Sequence, residues 1–183
     1  MQGAFEWISW IAQWLGQFVP RKVILDTTMG GVKFVGGNVP KILGPGTHWY
    51  WPWHTMFQAY PTVRQTDELR SQTLTTADDK VIMVAGLITY EVFDLTPLLV
   101  ETFDAATLVK ERSLAGVHDA CCRMSWEELK AEQRKGTLNT KLKNAVKREL
   151  QDYGVAVLEV SLTDLAPTRV LKVMQSVITE AQG

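Results

Sequence analysis

The stretch that decides the fold lies at residues 70–94 and reads RSQTLTTADDKVIMVAGLITYEVFD. It covers the end of one run typical of a β-strand, at residues 62–76, and the whole of a second, at residues 80–93. A polar turn at residues 77–79 joins the two runs. The second run carries apolar side chains at both its odd and its even positions. A strand that is apolar on both faces is predicted to lie in the middle of a sheet. The stretch therefore predicts a long hairpin whose second strand is central.

Short strands are predicted on the N-terminal side of this hairpin. Residues 23–39 alternate around glycine pairs at 30–31 and 36–37, and both pairs are expected in tight turns with positive φ. A further turn is expected at residues 44–46, Gly-Pro-Gly. No Gly-Lys-Ser or Gly-Lys-Thr follows these glycines, so the pattern does not indicate a phosphate-binding loop.

An aromatic segment follows at residues 48–54, HWYWPWH. In a strand its side chains alternate, so Trp49, Trp51 and Trp53 are expected on one face. Pro52 confines this strand to the edge of a sheet because proline lacks an N–H donor. Two interpretations of the tryptophan face are open. It lies under a covering element of the protein, or it forms a membrane-touching surface beside an N-terminal helix.

After residue 97 the spacing of apolar residues changes from two to about 3.6, which predicts helices. Helices are expected at residues 104–124 and 137–153. A short helix between them is expected to begin with a capping box made by Ser125 and Glu128.

The last part of the chain is expected to return to a strand. Gly154 is a favourable residue for ending a helix because it readily adopts left-handed backbone. Residues 155–165 alternate as a strand, and a final helix is expected to start at Pro167.

The first twenty residues predict an amphipathic helix that Pro20 stops. Its polar side chains fall within about 80° of the helical wheel, and three tryptophans cluster between them and the apolar face. Two interpretations are open: a helix packed on the protein's own core, or one that lies in the plane of a membrane. Tryptophan is favoured at the headgroup level of a bilayer. At about 25 Å this helix is too short to span a hydrocarbon core of ~30 Å.

The composition disfavours several classes of protein. Nineteen basic against twenty acidic residues give a net charge of −1, which disfavours a sequence-blind nucleic-acid binder. Cys121 and Cys122 are adjacent and favour a reducing compartment. The three histidines lack zinc-ligand spacing and no catalytic motif is found, so neither a metal nor a cofactor is expected. A hydrolase with an unrecognised site stays open as a remote alternative.

Charge is distributed unevenly along the chain. Residues 66–104 hold eight acids and two bases, whereas residues 129–148 hold seven bases and one acid. Two explanations are open. Either the acidic and the basic segments are separate surfaces exposed to solvent, or an acidic edge of one copy meets a basic helix of the next in a head-to-tail contact.

Several segments together resemble one known family. Residues 44–52, GPGTHWYWP, are similar to the opening Gly-Pro-Gly, aromatic and proline motif of the stomatin/prohibitin/flotillin (SPFH, band 7) domain. The stretch at 70–94 resembles its central hairpin, in which Thr-x-Asp precedes an apolar strand ending Tyr-x-Val-x-Asp. Residues 153–164, YGVAVLEVSLTD, resemble its Gly-Ile-x-Val strand, and residues 180–181 resemble the start of its Ala/Glu-rich tail.

The resemblance implies an α+β, SPFH-type fold in two lobes. The expected parts are an amphipathic membrane helix at 1–20, a β-rich first lobe at 21–95 and an α/β second lobe at 96–183. The family further implies a non-catalytic membrane scaffold whose copies assemble laterally into rings. The chain is expected to be stomatin-like and to lack the family's long C-terminal coiled coil. The alternative is a regulatory adaptor of a membrane protease or another membrane protein, without large self-assembly.

Two groups of residues are expected to carry this function. The residues expected to contact the membrane are Phe5, Trp7, Ile8, Trp10, Ile11, Trp14, Leu15, Phe18, Trp49, Trp51 and Trp53. The residues expected between copies are Asp67, Glu68, Asp78, Asp79, Lys141, Lys143, Lys147 and Arg148. The expected partners are membrane lipid, further copies of the chain and a membrane protein. Arg21, Lys22 and the thiols favour a monotopic protein on the cytoplasmic face.

Overall fold

The computed structural model describes residues 19–37 and 39–168. The predicted N-terminal helix and nearly all of the predicted final helix lie outside these described residues. In chain order the elements are β1 (Arg21–Leu25), β2 (Met29–Val35), β3 (Val39–Leu43), β4 (Gly46–Tyr50), β5 (Thr55–Pro61), β6 (Gln65–Thr75), β7 (Val81–Val92), α1 (Leu95–Val100), α2 (Ala105–Cys122), α3 (Trp126–Lys135), α4 (Leu138–Leu150) and β8 (Val155–Pro167). A 3₁₀ turn at Gln151–Tyr153 joins α4 to β8. The predicted α+β class is confirmed.

The strands pair in three antiparallel sheets. β1 pairs with β4, β2 lies between β3 and β5, and β7 lies between β6 and β8. The predicted hairpin with its central second strand is therefore confirmed. β7 falls in the first predicted lobe and β8 in the second, yet they share a sheet. The division at residue 95 stays a prediction.

The glycine pair at residues 30–31 was expected in a turn, and this expectation is wrong. Both glycines lie inside β2, and neither has a positive φ. A Cβ on Gly31 would lie 2.6 Å from the Phe57 ring, and one on Gly30 would overlap the Leu95 side chain. Glycine is therefore needed at these two positions because neighbouring side chains pack closely against the backbone, and not because the chain turns there. The pair at 36–37 does form a turn, with φ of 64° and 81°.

Two helices cover one face of the sheet formed by β6, β7 and β8. Alternate side chains of β7, including Ile82, Val84, Ile88 and Tyr90, point into this interface and are at most 1% exposed. α2 also packs on α4, and a Cβ on Gly116 would lie 2.9 Å from the Cα of Val146. Burying a large aliphatic side chain contributes roughly 1.5–3 kcal/mol, so this layer is the main source of stability.

The helix ends follow the expected chemistry. Ser125 and Glu128 form the predicted capping box, with the Ser125 N–H donating to Oε2 of Glu128 at 2.8 Å. Gly154 adopts a φ of 70° and ends the turn after α4. Pro167, however, is the last residue of β8, opposite Ile82, and does not start a helix. β8 is an edge strand, and an edge tolerates a residue without an N–H.

Candidate functional site

Three loops of the chain meet at one end of the strand region β1–β5. Arg21 lies opposite Tyr50, so the chain enters β1 beside the turn that leaves β4. Val35 lies opposite Thr55, and the Gly36 N–H donates to the carbonyl of His54 at 3.0 Å. We call this end the tryptophan tip and define it as residues 19–21, 35–37 and 50–56.

The tip exposes large apolar side chains. Trp51 is 47% exposed, Trp53 58% and Met56 73%. Val19 and Val35 add to the same surface. An open groove of about 480 Å³ runs between the two turns, past Trp53 and Met56. Large exposed apolar side chains gathered at one end of a fold are typical of an interaction site.

The tryptophans are arranged differently from the expected strand face. β4 ends at Tyr50, so only Trp49 belongs to the strand, while Trp51, Pro52 and Trp53 lie in the turn. The expectation of an edge strand through Pro52 is therefore wrong, because a turn can carry a residue that has no N–H. Trp49 is 62% exposed, and no described element covers it.

The other residues expected to contact a membrane precede the tip in the chain. Phe5, Trp7, Ile8, Trp10, Ile11, Trp14, Leu15 and Phe18 lie outside the described residues. The described chain begins at Val19, which belongs to the tip. The segment before it is therefore attached to the fold beside Trp51 and Trp53. Val35 and Met56 were missed by sequence reasoning, because only the pairing of β2 with β5 brings them to this end.

Asp67, one of the acids expected between copies, is engaged within the chain. Its Oδ2 accepts a hydrogen bond of 2.9 Å from the Tyr90 hydroxyl, and its Oδ1 lies 3.2 Å from Nζ of Lys110. Its neighbour Glu68 is exposed and lines a groove with Thr107 and Lys110 of α2. Glu68 has no ion-pair partner among the described residues.

Asp78 likewise has internal partners. Its Oδ1 accepts hydrogen bonds from the Thr76 hydroxyl at 2.6 Å and from the Trp126 N–H at 2.9 Å, and its Oδ2 lies 3.1 Å from Nζ of Lys80. These hydrogen bonds, that from Thr76 foremost, hold the pKa of Asp78 well below its usual range. The carboxylate thus ties the β6–β7 turn to the start of α3. Asp79 is exposed beside it, with a φ of 57°.

The basic residues of α4 also fall into two groups, those with and those without an ion-pair partner within the chain. Nζ of Lys141 lies 3.1 Å from Oε2 of Glu132 at the end of α3. Lys147 and Arg148 are exposed and Lys143 is half-buried, and these three have no ion-pair partner among the described residues. The cations of α4 that are available to a partner are therefore Lys143, Lys147 and Arg148.

The remaining chemistry of the described residues is sparse. Burial raises the pKa of the Cys121 thiol to about 12, whereas Cys122 is half-buried with its Sγ 3.6 Å from Nε2 of His118. Residues 19–37 and 39–168 contain no group of three or more His, Cys, Asp and Glu side chains placed to hold a metal ion. Within those ranges no helix has the length and apolar character needed to cross a membrane.

Comparison with known proteins identifies the family. No curated protein matches the chain. The model of the family described as SPFH domain / Band 7 family matches residues 23–182 and so covers most of the chain, including β2 to β8 in full. The match does not distinguish the stomatin-like subtype, which stays a prediction. The chain therefore belongs to the SPFH domain / Band 7 family, whose members are generally membrane-associated scaffolds.

Proposed function

We propose that this protein is a non-catalytic, monotopic membrane scaffold that docks on one leaflet through the tryptophan tip and the segment before it. The observation that carries this proposal is that the described chain begins at the tryptophan tip, with Val19. Arg21 pairs opposite Tyr50, so the tryptophan-rich first residues join the fold beside the exposed Trp51 and Trp53. The described chain therefore begins at the same end of the strand region that exposes Trp51 and Trp53.

A bilayer suits this surface better than water does. The three tryptophans at positions 49, 51 and 53 are about half exposed, and an indole ring buries its apolar part most favourably where its N–H stays wet. If each ring buries roughly 100 Å² more, the gain is about 2.5 kcal/mol per ring, as an upper estimate. Immobilisation at the surface opposes this gain, so the tip and the preceding segment would act together, as in other two-signal membrane anchors.

The test is flotation of the full-length protein with lipid vesicles. Trp51→Ala combined with Trp53→Ala should reduce vesicle binding roughly tenfold or more, because the lost burial exceeds 1.4 kcal/mol. The matched control is Phe93→Ala with Phe103→Ala. These two rings are 70% and 100% exposed but lie outside the tip. Equal binding by the tryptophan variant and the wild type would refute docking through the tip.

Lateral association is the second part of the proposal. Glu68 lies on β6, at one edge of the β6–β7–β8 sheet and beside α2, whereas α4 packs against β8 at the other edge. Acids near one edge and cations near the other allow each copy to present one to the preceding copy and the other to the next, which is a head-to-tail contact. Asp67, Asp78 and Lys141 already have internal partners, so Glu68, Asp79, Lys143, Lys147 and Arg148 would carry this contact.

The test of assembly is negative-stain electron microscopy of the vesicle-bound protein. Lys143→Glu with Lys147→Glu should weaken lateral assembly, and Glu68→Lys in the same chain should restore part of it. Arg123→Glu is the control, since Arg123 follows the last residue of α2, pairs with Asp119 of that helix and lies outside this contact. Regular rings of the wild type that persist in the lysine variant would exclude this interface. Scattered bound particles in the wild type would instead favour the adaptor function.

A further inference from the structure

A second group of residues lies just behind the tryptophan tip. Lys22 of β1 is opposite Trp49 of β4, and Lys33 of β2 is opposite Lys41 of β3. Nζ of Lys33 donates to the carbonyl of Trp49 at 3.1 Å, which links the two sheets. We call Lys22, Lys33 and Lys41 the lysine tier. The sequence separates these residues by eight positions or more, and only the strand pairing brings them to a similar depth behind the tip.

The lysine tier has no anionic partner among the described residues. Lys33 and Lys41 are directly opposite on antiparallel strands, an arrangement that is unfavourable for two like charges. Residues 19–61 contain a single acid, Asp26, against four bases. Asp26 follows Leu25 at the end of β1 that is farther from the tip. The strand region therefore presents a net positive charge, and the tier supplies three of its four basic residues.

The distance between the tryptophan tip and the lysine tier matches the thickness of the headgroup layer of a bilayer. Lys33 precedes Val35 by two residues and Lys22 follows Arg21 by one, so the tier lies roughly 3–7 Å behind the tip at about 3.3 Å per residue. The headgroup region of a bilayer is several ångströms thick on each side. When the indoles lie at the boundary with the acyl chains, the ammonium groups reach the phosphate level, as lysines near membranes do.

We propose that the lysine tier binds the phosphates of anionic phospholipids and makes the tip selective for negatively charged leaflets. This inference rests on the proposed docking of the tip and adds the class of lipid. Each lysine held at the surface of an anionic membrane strengthens binding about fivefold. The three lysines together therefore give an anionic membrane a preference of roughly a hundredfold over a neutral one.

The experiment is flotation of the full-length protein with vesicles of phosphatidylcholine, with and without phosphatidylglycerol. At about 0.1 M salt, the wild type should bind the anionic vesicles roughly a hundredfold more tightly than the neutral ones. The preference should shrink at about 1 M salt, where the Debye length falls from about 10 Å to about 3 Å. Lys22→Gln with Lys41→Gln should lose most of the preference and keep the binding to neutral vesicles. Lys33 is left unchanged because its bond to Trp49 joins the two sheets.

The matched control is Arg134→Gln with Lys135→Gln, which removes two exposed cations from α3. This control should keep the anionic preference. Equal binding of the wild type to both kinds of vesicle, or an unchanged preference in the tier variant, would overturn the inference while leaving docking through the tip intact. Absence of binding to either vesicle would overturn docking and this inference together. Displacement by inorganic phosphate beyond that by chloride at equal ionic strength would point to a soluble anion and overturn the lipid assignment.

Discussion

The hydroxyl oxygens of Tyr60 and Tyr90 lie 3.3 Å apart and join β5 to β7. Tyr90 is wholly buried and donates to Asp67, which in turn pairs with Lys110 of α2. Tyr60 therefore donates to the oxygen of Tyr90, and one chain of polar contacts runs from the strand region β1–β5 to the helices. Burial, together with these bonds, raises the pKa of the Tyr90 hydroxyl far above its usual value.

Tyr90→Phe should lower the free energy of unfolding by about 1–2 kcal/mol at neutral pH, because a buried hydrogen-bonded hydroxyl is lost. In the wild type the raised pKa contributes stability that is complete below the unfolded tyrosine pKa of about 10 and is lost as the pH rises above it. Urea unfolding at about pH 7 and about pH 11 measures both effects. The difference between wild type and variant should shrink at the higher pH. Tyr50→Phe is the control, since the Tyr50 hydroxyl has no hydrogen bond to a described residue, and an equal loss in that variant would contradict the argument.

Asp78 should make the protein sensitive to acid. Its pKa is lowered from 3.8, so its contribution to stability is present above that value and is lost as the pH falls through the lower folded pKa. Asp78→Asn keeps an acceptor oxygen but removes the charge, and its thermal midpoint should therefore fall less between pH 6 and pH 3, roughly the range over which carboxylates titrate. Asp79→Asn leaves the contacts of Asp78 in place and should behave as the wild type does. A thermal midpoint of Asp78→Asn that falls as far as that of the wild type over this pH range would contradict this role.

Gly31→Ala should destabilise the contact between β1 and β2. The added Cβ would lie 2.6 Å from the Phe57 ring and 3.1 Å from Leu25, and overpacking of this kind costs about 1–3 kcal/mol. Gly44→Ala is a matched control, because its Cβ would meet nothing within 4 Å and its φ is not in the left-handed region. Chemical denaturation of the two variants measures the difference. Equal free energies of unfolding in the two variants would contradict this prediction, because they would show that the neighbours of Gly31 move aside without cost.

The two adjacent thiols should react at very different rates. Cys121 is fully buried, and its pKa is raised to about 12, so it holds little thiolate at neutral pH. Cys122 is half-buried beside His118 and should react first with a thiol reagent such as a soluble aromatic disulfide. One thiol per chain should react in the folded protein, and both should react in denaturant. Cys122→Ser should abolish the first reaction, and its persistence would place the reactive thiol at Cys121.

Local patterns in the chain predicted much of the fold because they act over a few residues. The capping box at Ser125 depends on a Glu three positions later, and the stop at Gly154 depends on one backbone torsion angle. The central position of β7 follows from apolar side chains on both of its faces. Gly31 was misread because a glycine that serves close packing and a glycine that serves a turn look the same in sequence.

The sequence by itself predicted the hairpin of β6 and β7, the helices between residues 104 and 153 and the strand after Gly154, because periodicity and capping are local properties. Its resemblance to the SPFH domain implied the α+β class, and its composition shows the excess of tryptophan before residue 54. Only the tertiary structure decided which charges remain available. The pairing of β6 with β7 places Asp67 beside Tyr90, and that of α3 with α4 places Lys141 beside Glu132. The tertiary structure also assembled the tryptophan tip and the lysine tier. Their members come from separate strands and from the turns that join them. Such distant residues are brought to one end of the fold by strand register, which depends on the burial of the whole sheet rather than on any single segment.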